Sequence, residues 1–240
     1  MNTKTNCMAA LAVTMMFQAA ASAATVPFLE DFSSDASNWF NGAGNAPATW
    51  VATGGPDGSA HISSVANLAA AAVDDTPTVL RGQAGFGSSG GAFVGNYLAE
   101  GVSEYRAFVR HDAPFPLAFF TRFSGPANFP GAIAVNFVPV PPNQWTEIVV
   151  PIDPANPQFV SFEGTSFEAV FNNVGNVQVG ISVLNGQAGY PFDINIDLDK
   201  PQIAGAQTVP TVSTWGLVIL ALMLAAMAKI SGIRPARAVG

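Results

Sequence analysis

The residues of this chain that could do chemistry are its aromatic rings and its carboxylates. Trp39, Phe40, Trp50, Tyr97 and Tyr190 lie beside Gly/Asn/Pro-rich stretches. Flat rings on loops can stack on the C–H faces of sugars while Asp, Asn and Arg fix the hydroxyls. The competing expectation for each ring is core packing, because large aromatics are mostly buried. Trp145 opens a strand pattern and is expected in the core.

Patterns for catalysis are sparse. Gly85-Phe86-Gly87-Ser88-Ser89-Gly90 spells G-x-G-x-x-G, but no strand–helix–strand unit surrounds it and no acidic residue marks a ribose site, so it reads as a flexible loop. It contains no G-x-S-x-G elbow. His61, and His111 beside Asp112, could supply half of a dyad, yet no motif places a nucleophile. A glycosidase needs two facing carboxylates, and sixteen acidic residues would bring some pair together by chance. The expectation is a protein that is not an enzyme.

Composition narrows the classes further. The chain has 240 residues, 49% apolar and only 10% charged, against roughly 25% charged in ordinary domains. Its mean hydropathy of +0.32 hints at membrane, but 23 Gly and 18 Pro are too many for a helical bundle. One Cys excludes a disulfide scaffold, and two His without a Cys cluster leave little for zinc. A net charge of −7 argues against a nucleic-acid partner, which would need a basic face for phosphates.

The apolar excess sits at the two ends. Lys4, an apolar run over 8–17 and Ala21-Ser22-Ala23 make a signal peptide over 1–23, too short to span a bilayer and cut by signal peptidase between Ala23 and Ala24. Cys7 leaves with it, and the exported chain has no cysteine. At the other end the run 215–228 would be about 21 Å long as helix. If Lys229 snorkels, it becomes a transmembrane helix over 215–233, followed by a basic cytoplasmic tail, 234–240, with Arg234 and Arg237.

The segment before that helix, a linker over 206–214, carries the start of Val209-Pro210-Thr211-Val212-Ser213-Thr214-Trp215-Gly216. It resembles the Ile-Pro-Thr-Leu type of bacterial C-terminal sorting domain, a relative of the Pro-Glu-Pro signals handled by exosortases. Pro210, Thr211, Ser213, Trp215 and Gly216 match that pattern, Val209 and Val212 replace its aliphatic residues, and Thr214 stands where Glu is usual. The resemblance implies an exosortase-like membrane protease as partner, with processing near residues 209–211. It further implies passage through the inner membrane to the cell surface or extracellular matrix of a Gram-negative, exopolysaccharide-making bacterium.

Residues 24–205 carry all sixteen carboxylates against Arg81, Arg106, Arg110, Arg122 and Lys200, a net charge of −11. Their hydrophobic period is two. Val177, Val179, Ile181 and Val183 alternate with polar or small residues, as do Phe192, Ile194, Ile196 and Leu198. Further strands are expected over 26–32, 61–65, 92–96, 105–109, 145–152 and 167–171, with Leu117, Phe119 and Phe123 sharing one face and Ile133, Val135 and Phe137 another. Only 67–73 could hold a turn or two of helix. About ten short strands separated by Gly, Pro and Asn predict an all-β, antiparallel β-sandwich.

The order of features is similar to that of galactose-binding-like jelly rolls, found in many carbohydrate-binding modules, and to laminin B domains. Those features are Glu30-Asp31-Phe32, then Trp39 and Trp50, then Gly54-Gly55-Pro56-Asp57-Gly58-Ser59, and finally the strands beginning at Trp145 and Phe192. The resemblance implies a structural Ca²⁺ where first and last strands meet, held by Glu30, Asp57, the Gly58 carbonyl and Asp197. The alternative is that Asp57 merely makes a Pro-Asp-Gly turn and residues 193–199 are a solvated strand face. It also implies an exopolysaccharide or other glycan as ligand, read by Trp39, Trp50, Tyr97 and Tyr190. A purely structural matrix protein and a glycan-active hydrolase are the other two readings.

Overall fold

The computed structural model describes residues 23–205. The expected signal peptide up to residue 22, with Ala21, and the sorting motif with the expected linker, apolar helix and basic tail from 206 onward lie outside the described residues. Ala23 is exposed and Ala24 buried, with the Thr25 amide donating to the Ala92 carbonyl at 3.0 Å.

Twelve strands run in chain order: β1 (Phe28–Leu29), β2 (Phe40–Asn41), β3 (Thr49–Val51), β4 (His61–Asn67), β5 (Thr78–Gln83), β6 (Val102–His111), β7 (Ala118–Ser124), β8 (Gly131–Val135), β9 (Thr146–Pro151), β10 (Phe159–Ser161), β11 (Asn176–Ser182) and β12 (Asp193–Gly205). One helix, α1 (Phe167–Phe171), falls between β10 and β11. The first sheet has the order β3-β4-β12-β6-β9, with β1 also paired to β12; the second has the order β10-β8-β7-β11-β5-β2. All pairings are antiparallel. This is the antiparallel sandwich that alternation of period two requires.

The inward positions of the central strands build the core. Val177, Val179 and Ile181 on β11 and Ile194, Ile196 and Leu198 on β12 are fully buried. Phe123 gathers Tyr97, Tyr105 and Phe171 around it, with ring centroids 5.2–6.2 Å apart. Each fully buried side chain of this size contributes about 1.5–3 kcal/mol relative to exposure.

Four expectations fail on local grounds. Residues 167–171 form α1 rather than a strand: Ser166 caps it by accepting from the Ala169 amide at 3.2 Å, and Phe167, Val170 and Phe171 point inward at helical spacing. Residues 92–96 make turns and a single bridge from Gly95 to Val174, and 67–73 holds turns without helix. Phe192 precedes β12 and is exposed, out of line with Ile194.

Candidate functional site

The register of the second sheet brings six outward side chains into one lateral row. Phe40 lies opposite Arg81, Arg81 opposite Gln178, Gln178 opposite Arg122, Arg122 opposite Ile133, and Ile133 opposite Ser161. Five strand spacings of about 4.8 Å make the row about 24 Å long. At its end Phe86 stacks on Phe40, centroids 4.0 Å apart and planes 25° apart, giving a half-buried aromatic ledge beside Arg81. Midway, a depression of about 260 Å³ is lined by Thr78, Arg81, Arg122, Asn128, Glu163 and Gln178, among others.

Arg122 is fully committed to the protein. Its Nε and Nη2 donate to the two Glu163 oxygens at 2.6 and 2.7 Å, the paired geometry of a guanidinium on a carboxylate. Nη2 also donates to the Asn128 carbonyl at 2.8 Å, and Nη1 to Asn128 Oδ1 at 3.2 Å and Gln178 Oε1 at 3.3 Å. Its five N–H donors are thereby all used. Gly131 leaves room for this group, since a Cβ there would lie 3.0 Å from the guanidinium carbon.

Two of its partners hold unusual backbone. Asn128 has φ 64° and Glu163 φ 50°. Left-handed backbone costs a non-glycine residue about 1–3 kcal/mol and persists where the surroundings over-determine it. The Arg122 guanidinium holds the Glu163 carboxyl below the usual carboxylate range. Arg81 differs from Arg122: its Nε donates to the Gly42 carbonyl, and no other protein acceptor meets it among the described residues.

The residues expected to bind ligand are not gathered on this face. Trp39 is fully buried, its indole donating to Ser89 Oγ at 2.9 Å, and it fills the space left by Gly82, where a Cβ would lie 2.7 Å from the ring. Tyr97 is also fully buried, its hydroxyl donating to the Phe93 carbonyl at 2.9 Å, and burial pushes its proton affinity far up. Neither can be a sugar platform. Trp50 is 39% exposed on edge strand β3, with its indole donating to the Phe32 carbonyl at 2.7 Å. Tyr190 is half-buried between Phe115 and Phe192 in a loop. Of the rings singled out from the sequence, Phe40 is the one on the row. Phe86 was missed because its glycine-rich segment, read as a flexible loop, is folded as 3-10 turns (Ala84–Phe86 and Ser88–Gly91) pinned by Ser88.

The first sheet carries a second polar depression, of about 400 Å³. There Arg110 pairs with Asp197 at 2.7 Å, His61 lies 3.9 Å from the same carboxylate, and Asn195 donates to Asp112 at 2.6 Å. Beside it stands Trp145, half-buried on the outer face instead of in the core: Arg110 lies 4.6 Å over its ring, and its indole donates to the Gly54 carbonyl at 2.8 Å. His111 also borders this depression, but its Nε2 meets the Val140 carbonyl at 2.9 Å, and no hydrogen bond joins the two histidines. Burial lowers the proton affinity of both.

The donors expected to hold calcium do not form a cage. Glu30 accepts from the Phe32 amide at 3.0 Å, Asp57 pairs with Lys200, and Asp197 pairs with Arg110. Gly58, at φ 82°, closes a turn whose amide donates to the Gly55 carbonyl. Among the described residues no three His, Cys, Asp or Glu gather as a metal-holding group, so these residues do not fit the ion.

No curated protein matches this sequence. Among solved structures, the CBM22-1–GH10 modules of Clostridium thermocellum endo-1,4-β-D-xylanase 10B, complexed with xylohexaose, are 14% identical with a TM-score of 0.47 over 77% of this chain and 30% of that one. An exo-β-agarase is 12% identical with a TM-score of 0.47 over 75% of this chain and 26% of its own. The family 11 carbohydrate-binding module of C. thermocellum, complexed with a β-1,3-1,4-mixed-linked tetrasaccharide, is 12% identical with a TM-score of 0.41 over 77% and 98%. This chain thus spans less than a third of the xylanase and agarase chains. At the C-terminus, residues 207–234, which include Val209 to Gly216, match the family model described as the IPTL-CTERM motif, a sorting signal that goes with export and the cell surface.

Proposed function

We propose that this protein is a surface-sorted, non-catalytic binding module whose second sheet holds a glycan strand across its outer face. The observation that carries the reading is the row from Phe40 to Ser161. It combines a flat aromatic ledge with amide and guanidinium groups held rigid before any ligand arrives. Rings stacked on sugar faces and fixed polar groups are what carbohydrate recognition needs, and preorganisation lowers the entropy lost on binding. The row's one carboxylate, Glu163, is spent on Arg122, which leaves no second carboxylate for glycoside hydrolysis.

The IPTL-CTERM match supports the rest of the reading. An exosortase-like protease removes the tail near residues 209–211 after transient retention at the inner membrane of a Gram-negative cell, and the domain reaches the surface or matrix. Mature protein that still contains Arg237 by mass spectrometry would contradict this processing.

A glycan array probed with the full chain tests the binding. Phe40→Ala and Phe86→Ala should each weaken every glycan bound by the wild type, while Trp50→Ala should leave binding unchanged. Binding that survives both ledge substitutions would sink the assignment to this face.

A further inference from the structure

We propose that the glycan held on the second sheet is carboxylated, a uronate polysaccharide, and that Arg81 is the residue that takes its carboxylate. The inference rests on the glycan reading above and deepens it. Five cations occur among the described residues, and four are closed by carboxylates. Arg106 pairs with Glu104 at 2.7 Å and Glu147 at 3.3 Å, Arg110 with Asp197 at 2.7 Å, Arg122 with Glu163 at 2.6 Å, and Lys200 with Asp57. Arg81 has no carboxylate within 4.0 Å among the described residues, although the domain carries sixteen.

Its position makes the missing anion meaningful. Arg81 is half-buried one position from the end of the row, between Phe40 and Gln178, and lines the depression of about 260 Å³. The Gly42 carbonyl takes its Nε, which anchors the guanidinium and leaves both Nη groups without a protein acceptor among the described residues. Burial and the neighbouring charge of Arg122 both press against the charge on Arg81. An anion arriving there relieves that cost.

The chemistry selects the kind of anion. Two parallel Nη donors on a planar guanidinium match the two oxygens of a carboxylate. Glu163 neutralises Arg122, so the row offers one net positive charge, which suits one carboxylate per binding register rather than a dense polyanion. Phe40 and Phe86, directly beside Arg81, place a ring-stacking surface where the sugar bearing that carboxylate would lie.

The test compares polygalacturonate with its carboxyl-reduced, neutral form as ligands for the full chain by titration calorimetry. A hydrogen-bonded charge pair is worth about 1.5–3 kcal/mol, so the acidic form should bind at least tenfold tighter. Arg81→Gln should erase that preference, bringing the affinity for polygalacturonate down to that for the neutral form. Should Arg81→Gln fail to fold, free galacturonate against free galactose as competitors of the wild type supplies the same contrast. Equal affinity for both polymers overturns the inference and leaves the glycan reading standing. Equal, Arg81-dependent binding of a sulfated neutral polymer overturns the choice of carboxylate. Loss of all glycan binding on the array overturns the underlying reading itself.

Discussion

Replacing Glu163 with Gln isolates what holds the row rigid. The substitution keeps the shape and one acceptor oxygen but leaves the Arg122 guanidinium, whose side chain is 11% exposed, without its counter-charge. Removing one partner of a buried pair costs about 3–5 kcal/mol. Asn128 and Gln178 still accept from the same guanidinium, and the pair is not wholly dry, so about 2 kcal/mol is expected. For a domain of this size that lowers Tm by about 4–8 °C. The sign with pH follows from Arg122 holding the Glu163 carboxyl below its unfolded value. The stabilisation is therefore complete above an unfolded pKa of about 4.3 and fades as pH falls through the lower, folded value. Glu100→Gln, which removes an exposed and unpaired carboxylate, controls for net charge. Melts at pH 7 and at descending pH below 4.3 read the difference from wild type. A deficit under about 0.5 kcal/mol at pH 7, or one that does not shrink in acid, would refute the role given to the pair.

Three other outcomes are expected. Gly82→Ala should cost about 1–3 kcal/mol and perturb the near-UV circular dichroism of tryptophan, because the new Cβ would lie 2.7 Å from the Trp39 ring; an unchanged spectrum would contradict the packing. Burial raises the proton affinity of Tyr97 and Tyr105, so neither should ionise before the domain unfolds in alkali, and stability should fall as pH rises above about 10; smooth phenolate absorbance growth for both in folded protein would contradict this. Burial lowers the proton affinity of His61 and His111 against the pull of nearby acceptors, His61 facing Asp197, Asp199 and Arg110. Stability should therefore decline as pH falls below the unfolded imidazole pKa of about 6.5, a window distinct from that of Glu163; a flat profile from pH 7.5 to 5.5 would count against it.

The sheets were legible where alternation is strict. Val177 to Ile181 and Ile194 to Leu198 announce strands, and both are observed, although β11 is buried on both faces from Asn176 to Ile181. α1 was not legible because five residues with apolar positions i, i+3 and i+4 also read as a short apolar strand. Trp39 and Tyr97 were misjudged because their Gly- and Asn-rich neighbours suggest loops. What buries Trp39 is Gly82, an absent side chain on a distant strand. Trp145 was misjudged in the other direction, since the first residue before a strand can leave the inner face. The row was invisible for a deeper reason. Periodicity says which residues of a strand share a face, but not which strand lies beside it or in what register. Phe40, Arg81, Arg122, Ile133, Ser161 and Gln178 come from six strands spread over the whole domain, and only pairing aligns them.

A net charge of −11 does not by itself forbid an anionic ligand. Distance decides. At physiological ionic strength the screening length is about 8 Å, and stacked sheets lie about 10 Å apart. Asp193, Asp197 and Asp199 belong to β12 in the first sheet, on the far side of the core from the row. Of the three, Asp197 is already met by Arg110, burial raises the proton affinity of Asp199, and exposed Asp193 is the one that solvent ions screen. The local field on the row is set by Arg81, Arg122 and Glu163, two positive charges against one negative. Acidic composition thus restricts where an anion can bind without excluding that it binds. The same count explains why nucleic acid is a poor fit: a duplex presents one charge per roughly 1.7 Å and is held by many phosphate contacts, whereas this face offers a single uncompensated guanidinium. A chain whose carboxylates are spaced by whole sugar rings asks for no more than that.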